Sequence, residues 1–134
     1  MGDLSKDFSM YEFDCHDGTQ VPDQYKTNVL RLVNEVLQPL RDITGSPIHV
    51  HSGYRTVSYN RACGGVARSQ HLVAKAADLS IDGMEPDDVN KLAFGFMAAR
   101  HTFYKSGGGV GWYNTFTHVD IRDGIDLKRW GKPE

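Results

Sequence analysis

The sequence predicts one α+β domain: a small antiparallel sheet with helices packed on its outer face and a metal site in a cleft on the other face. Two patterns predict this class. Apolar residues recur at intervals of three and four over two long stretches, as in amphipathic helices, and several short stretches alternate polar with apolar residues, as in half-buried strands. The 134 residues suffice for one hydrophobic core, so we expect residues 1–134 to form a single domain.

The first long helix is predicted to begin at Pro22 or Asp23 and to end at Gly45. Pro39 lies inside it and removes one intrahelical hydrogen bond, so we expect a kink about one turn earlier. The apolar face comprises Tyr25, Val29, Leu32, Val33, Val36, Leu37, Leu40 and Ile43.

Two further helices are predicted. Residues 57–63 form a short helix that the glycines at 64–65 close, and a second long helix begins in the acidic turn at residues 85–88 and runs through Arg100. Strands are predicted over residues 47–52, 76–81, 110–113 and 116–121. The tail is expected to lay Trp130 across the edge of the core.

Composition excludes several classes of partner. The net charge is −2 and the lysines and arginines form no basic stripe, which argues against nucleic acid and against an anionic membrane surface. No apolar run approaches the roughly 18 residues of a membrane helix, and the first residues lack the apolar core of a signal peptide. We expect a monomer that meets its substrate at a local site.

The two cysteines, Cys15 and Cys63, are too few for a disulfide framework or a cysteine-rich zinc site. Sequence leaves open whether they are two free buried thiols or one bridge. His16 and Asp17 follow Cys15 directly, but adjacent residues rarely face one another, so a cysteine hydrolase is the least favoured reading.

A candidate metal site comes from His71, Asp78 and His118. Asp78 and His118 lie on predicted strands, on the faces opposite the apolar residues, where an unpaired buried carboxylate would cost several kcal/mol. Zn²⁺ held by two neutral imidazoles and one carboxylate keeps a vacant position, where a water could lose its proton near pH ~7. The spacing of these residues alone is equally consistent with side chains that face water and bind no metal. His49 and His51 form a competing same-face pair, but their strand carries no carboxylate partner, so an ordinary half-exposed strand is the favoured interpretation.

Three motifs occur in order along the chain: residues 52–55 (SGYR), residues 69–78 (SQHLVAKAAD) and residues 109–120 (GVGWYNTFTHVD). Together they resemble the M15 family of zinc peptidases, most closely its small peptidoglycan-hydrolase branch of bacterial envelope enzymes and phage proteins. The resemblance implies hydrolysis of a peptide bond in the peptidoglycan stem or cross-link, and action at the cell wall.

The resemblance also implies roles for individual residues. His71, Asp78 and His118 would be the zinc ligands. Arg55 would hold a substrate carbonyl or carboxylate and stabilise the oxyanion, a task that suits a guanidinium fork. Ser69 would support the loop that carries His71 and help to bind substrate.

Other positions depart from the family pattern or stay ambiguous. Ala74 stands where the family usually has glycine, so we expect its backbone to avoid positive φ. Thr115 stands where many relatives have the acidic general base. Asp120, on the same face as His118, is the substitute base, or else a partner of a ligand or an arginine. Trp112 and Tyr113 either line the substrate groove or pack its floor. The missing acid keeps open a non-catalytic cell-wall-binding or phage structural module.

Overall fold

The computed structural model describes residues 2–105 and 107–131. It confirms the α+β class: a five-stranded sheet with strand order β1-β2-β4-β3-β5, and helices. The strands are β1 (Ile48–Ser52), β2 (Ala76–Ile81), β3 (Gly109–Trp112), β4 (Thr117–Asp120) and β5 (Lys128–Trp130).

One strand pairing differs from the predicted all-antiparallel sheet. β1, β2, β4 and β3 pair antiparallel in that order, but β5 pairs parallel to β3, with Gly111 opposite Trp130. The chain crosses from β4 through residues 121–127 before it rejoins the sheet at the free edge of β3. Trp130, which was expected to lie across the edge of the core, lies on this edge strand and is not part of the core cluster.

The first long helix is irregular where Pro39 predicts a kink. Helix α1 (Lys26–Leu32) continues through a π-helical turn at Val33–Leu37 into α2 (Gln38–Thr44), which Gly45 ends with a φ of 67°. A π turn widens the helix by one residue and relieves the clash of the proline ring with the preceding turn. The irregularity therefore lies one turn before Pro39.

The other helices match the sequence closely. α3 (Val57–Ala62) and α4 (Pro86–Tyr104) occupy the predicted stretches. Arg100 in α4 is buried, and its Nη2 lies 2.6 Å from Glu35 Oε1, so an ion pair joins α4 to the π turn. None of the described helices is long and apolar enough to cross a bilayer.

The core lies between the helices and one face of the sheet. Leu79, Val110 and Val119 are fully buried and belong to the same cluster as Val36 and Met97 of the helices. Residues that alternate with these point to the opposite face, where Asp78 and His118 lie. Because the helices cover only one face of the sheet, the polar residues of β2 and β4 lie together on the opposite face, where they can form a site.

Two local expectations are settled by the structure. Cys15 is buried and Cys63 is exposed, and both thiols are free, so there is no bridge and only one of them is buried. The expectation that Ala74 avoids positive φ was wrong: its φ is 58° and its ψ 33°. Ala74 ends the 3₁₀ turn Gln70–Val73, and its N–H donates to the His71 carbonyl. Burial of its methyl group in the core compensates for the left-handed backbone.

Candidate metal centre

His71 is fixed by the turn that carries it. Ser69 precedes the 3₁₀ turn, and its Oγ accepts a hydrogen bond from the His71 backbone N–H at 3.2 Å. The ring Nδ1 lies 2.7 Å from the carbonyl oxygen of Gly53, which can only accept, so Nδ1 carries the proton. The bare Nε2 then lies 3.3 Å from Asp78 Oδ1.

His118 meets Asp78 across the sheet. The two residues are directly opposite in the antiparallel pairing of β2 with β4, so their side chains share one face. His118 Nδ1 lies 3.0 Å from Asp78 Oδ1, and His118 Nε2 lies 2.7 Å from Asp120 Oδ2. When Nε2 donates to Asp120, Nδ1 is the nitrogen left bare.

These tautomers leave two nitrogen lone pairs facing one carboxylate oxygen. One ligand atom from each of His71, Asp78 and His118 can be chosen so that all lie within 4.8 Å of one another, and all three residues are buried. Three acceptors converging in a buried place repel one another unless a cation lies between them. Two imidazole nitrogens and a carboxylate are ligands that suit Zn²⁺. The residues present therefore fit a zinc ion.

Charges around the centre favour an ionised carboxylate. When a proton rather than a metal ion lies between Asp78 and each imidazole, burial still raises the pKa of Asp78, but the resulting hydrogen bonds to His118 and His71 outweigh it and hold this pKa well below its ordinary value. Burial also opposes protonation of His118, yet in the doubly protonated ring, which carries a proton where the metal would bind, hydrogen bonds to Asp120 and Asp78 raise its pKa above the usual value. Both shifts show that the cluster attracts positive charge.

Asp120 lies behind His118 rather than in the cleft. It is 0% exposed, and besides His118 it accepts hydrogen bonds from Arg122 Nε at 2.9 Å and Nη2 at 2.7 Å and from the Arg122 backbone N–H. Burial raises its pKa, but the hydrogen bonds of His118 and Arg122 dominate and lower it to about 2. Both carboxylate oxygens are thus occupied.

Arg55 is held against the candidate ligands. Its Nη2 lies 3.2 Å from Asp78 Oδ2, its Nε donates to Ser52 Oγ at 3.0 Å, and its Nη1 donates to Asn60 Oδ1 at 3.2 Å. A guanidinium has five N–H donors, so two remain for a substrate. Arg55 therefore both fixes Asp78 and lines the cleft.

The cleft over this centre has a volume of about 550 Å³. Most of the sequence-predicted site residues line it: Arg55, Ser69, His71, Asp78, Tyr113 and His118. Trp112 and Asp120 are absent from its lining; the Trp112 ring packs edge-on against Phe94 at 5.3 Å between centroids. His49 and His51 lie on the edge strand β1, where they pair with Asp82 and Ser80.

Sequence reasoning missed two cleft residues near the end of the chain, Arg122 and Trp130. The Trp130 ring lies 5.0 Å from the His118 ring, and the guanidinium of Arg122 lies 5.1 Å from the indole centroid. Arg122 could have been found, since it continues the alternation of His118 and Asp120. Trp130 carried no such signal.

Comparison with known families decides the identity of the chain. A family model described as Peptidase M15 matches residues 6–120, a range that contains all three candidate ligands. The chain belongs to the peptidase M15 family. M15 peptidases are zinc metallopeptidases that act on peptidoglycan-type substrates. A search of curated proteins gave no match.

The M15 match ends at Asp120. Arg122 and Trp130 therefore lie beyond the matched residues, although they line the same cleft as the candidate ligands. The cleft of this M15 protein is built from the matched region together with β5 and the loop before it.

Proposed function

We propose that this protein hydrolyses a peptide bond in the peptidoglycan stem or cross-link, with one Zn²⁺ held by His71 Nε2, Asp78 and His118 Nδ1. The observation that carries the proposal is the convergence of two bare imidazole nitrogens and a carboxylate in a cleft of an M15 chain. These three residues would hold the ion and would leave it able to bind a water or the substrate as well. The protein would act at the cell wall.

When bound, Zn²⁺ would supply Lewis-acid chemistry, which can activate water near neutral pH and polarise a carbonyl group. Arg55 would bind the carbonyl oxygen of the substrate with its two uncommitted N–H groups, and its fixed charge would stabilise the oxyanion that develops there. The Ser69 hydroxyl would keep His71 in place by accepting a hydrogen bond from the backbone N–H of His71.

For Asp120 we propose the orienting role rather than that of general base. A base must reach the water whose proton it takes, but Asp120 is fully buried and both its oxygens are engaged. Its Oδ2 instead accepts the Nε2 proton of His118, which fixes the tautomer that leaves Nδ1 free for the metal.

A non-catalytic wall-binding or phage structural module is the second candidate. One observation favours it: among the described residues that line the cleft, Asp78 is the sole carboxylate, so none is free to act as a base. In that case the protein would bind cell-wall material and leave its peptides intact.

The deciding experiment combines metal content with product analysis. We expect the purified protein to contain one equivalent of zinc and to release peptides from defined muropeptides, with cleavage sites read by mass spectrometry. A chelator should abolish turnover and added zinc should restore it. The His118→Ala variant should lose both zinc and turnover. Zinc-loaded wild-type protein that binds muropeptides and cleaves none would establish the non-catalytic module.

A further inference from the structure

We propose that Trp130 is a positioning residue that holds the Tyr113 hydroxyl as a hydrogen-bond donor to the substrate in the cleft. The substrate in this proposal is that of the proposed function. The hydrogen bond between Trp130 and the Tyr113 hydroxyl, in contrast, is observed in the structure and does not depend on that function. Trp130 lies in β5, outside the residues matched to the family.

Tyr113 is fixed at three points although its residue is 39% exposed. Its backbone carbonyl accepts a 2.8 Å hydrogen bond from the buried Asn90 side chain, and its ring stacks on Phe116 with centroids 4.5 Å apart and planes 13° apart. Its hydroxyl is 2.9 Å from Trp130 Nε1. These contacts restrict the rotamers of Tyr113, so binding through its hydroxyl would cost little further side-chain entropy.

The direction of the last hydrogen bond determines what the hydroxyl can do. An indole N–H can only donate, so the Tyr113 oxygen is the acceptor and its own proton is left to donate elsewhere. Tyr113 lines the cleft that contains His71, Asp78 and His118. A peptide there presents carbonyl oxygens, which are the acceptors that a phenol donor requires.

The Trp130 indole packs directly over Gly111, in space that any larger residue at that position would fill. A Cβ on Gly111 would lie 2.5 Å from Trp130 Nε1 and 2.6 Å from Cε2. Gly111 is opposite both His118 on β4 and Trp130 on β5. The bare strand between them lets the indole reach across β3 to the His118 ring and the Tyr113 hydroxyl.

The sheet order puts this donor on the side of the centre away from Arg55. Arg55 follows β1 and Tyr113 follows β3, while Asp78 and His118 lie on β2 and β4 between those strands. A peptide that crosses the centre is therefore contacted from two sides, by Arg55 on one and by Tyr113 on the other.

A double-mutant cycle tests the inference. Trp130→Phe keeps an aromatic ring and removes the N–H, Tyr113→Phe removes the hydroxyl, and both leave the proposed zinc ligands intact. We expect each single variant to lower kcat/KM on muropeptides about three- to tenfold, through KM, the size of one hydrogen bond. The double variant should be no worse than Tyr113→Phe alone, since Trp130 acts through Tyr113. Tyr104→Phe, on an exposed tyrosine of α4, is the matched control.

Calorimetric binding of muropeptides, substrate or product, to the same variants gives a readout that does not need turnover. The dissociation constants should show the same non-additive pattern at unchanged zinc content. Losses that multiply in the double variant, or wild-type behaviour of Trp130→Phe, would overturn the inference. If the wild type binds muropeptides without cleaving them, the hydrolytic function fails while the cycle in binding still decides on Trp130. Absence of any muropeptide binding would refute both.

Discussion

Replacing Asp120 with asparagine tests how the centre is organised. The carboxylate accepts from the His118 ring on Oδ2 and from Arg122 on both oxygens, and it is fully buried. An amide of the same shape offers one oxygen. If that oxygen takes the Oδ1 position, the NH₂ group faces two donors, and His118 relieves the clash by moving its proton from Nε2 to Nδ1. That tautomer withdraws the lone pair proposed for the metal.

The cost can be estimated from these contacts. Loss of a partner that orients a metal-ligating histidine typically lowers metal affinity 10- to 100-fold, about 1.4–2.8 kcal/mol. Arg122 loses one charge-assisted acceptor, which should destabilise the zinc-free protein by about 1–2 kcal/mol. We use the lower part of the range for charged hydrogen bonds, because the Arg122 side chain is 27% exposed and water screens the interaction. We therefore expect weaker zinc binding and a lower unfolding free energy in Asp120→Asn.

Competition with a chromophoric chelator measures the affinity, and urea unfolding of the zinc-free protein measures the stability. Asp123→Asn is the control, because Asp123 is 87% exposed and pairs only with Lys75 among the described residues; both quantities should stay at wild-type values. Wild-type zinc affinity in Asp120→Asn, combined with loss of turnover of about 10²-fold or more, would refute the orienting role and support a general base.

Three further predictions follow from the fold and the site. His71→Ala should lose stoichiometric zinc by atomic absorption while His51→Ala, on the exposed edge strand, retains it; equal zinc in both would exclude His71 as a ligand. Burial raises the pKa of Glu35, but hydrogen bonds to Arg100 and Arg31 lower it overall. The ionised carboxylate therefore stabilises the folded protein fully above its ordinary pKa of 4.5, and this stabilisation is lost as the pH falls through the lowered pKa. Glu35→Gln should thus lose about 1–2 kcal/mol in urea unfolding at pH 7 and much less at pH 3, and an equal loss at both would contradict the ion pair. Ala74→Gly should change stability by less than about 1 kcal/mol, since relief of the left-handed backbone offsets the lost methyl burial, whereas Ala74→Val should be clearly destabilising in the same assay.

Period-two alternation made much of this site predictable. It put Asp78 on one face of its strand and His118 with Asp120 on one face of another, which the structure confirms. It could not show that Asp78 and His118 are direct neighbours, because register depends on pairing between strands forty residues apart. Nor could it show which of His118 and Asp120 faces the cleft, since both share a face and burial separates them.

Other features had no local signal. Ala74 adopts a conformation that its own residue type disfavours, because the chain must turn from His71 into β2 and the core holds its methyl group. β5 has three residues, too few for a periodic pattern, and its parallel pairing depends on the path of the loop before it. The position of Trp130 therefore follows from tertiary structure alone.

The two glycines of β3 give this protein sensitive positions that hold no functional group. A methyl group at Gly109 would lie 2.5 Å from Asp120 Oδ2 and 2.9 Å from Arg122 Nε, just as one at Gly111 would meet the indole. A homologue with alanine at either position could thus keep the same histidines and aspartates and still lose activity, because the added methyl group would displace Asp120, Arg122 or Trp130. We therefore expect residues larger than glycine at positions 109 and 111 to disturb this cleft even where the three proposed metal ligands are unchanged.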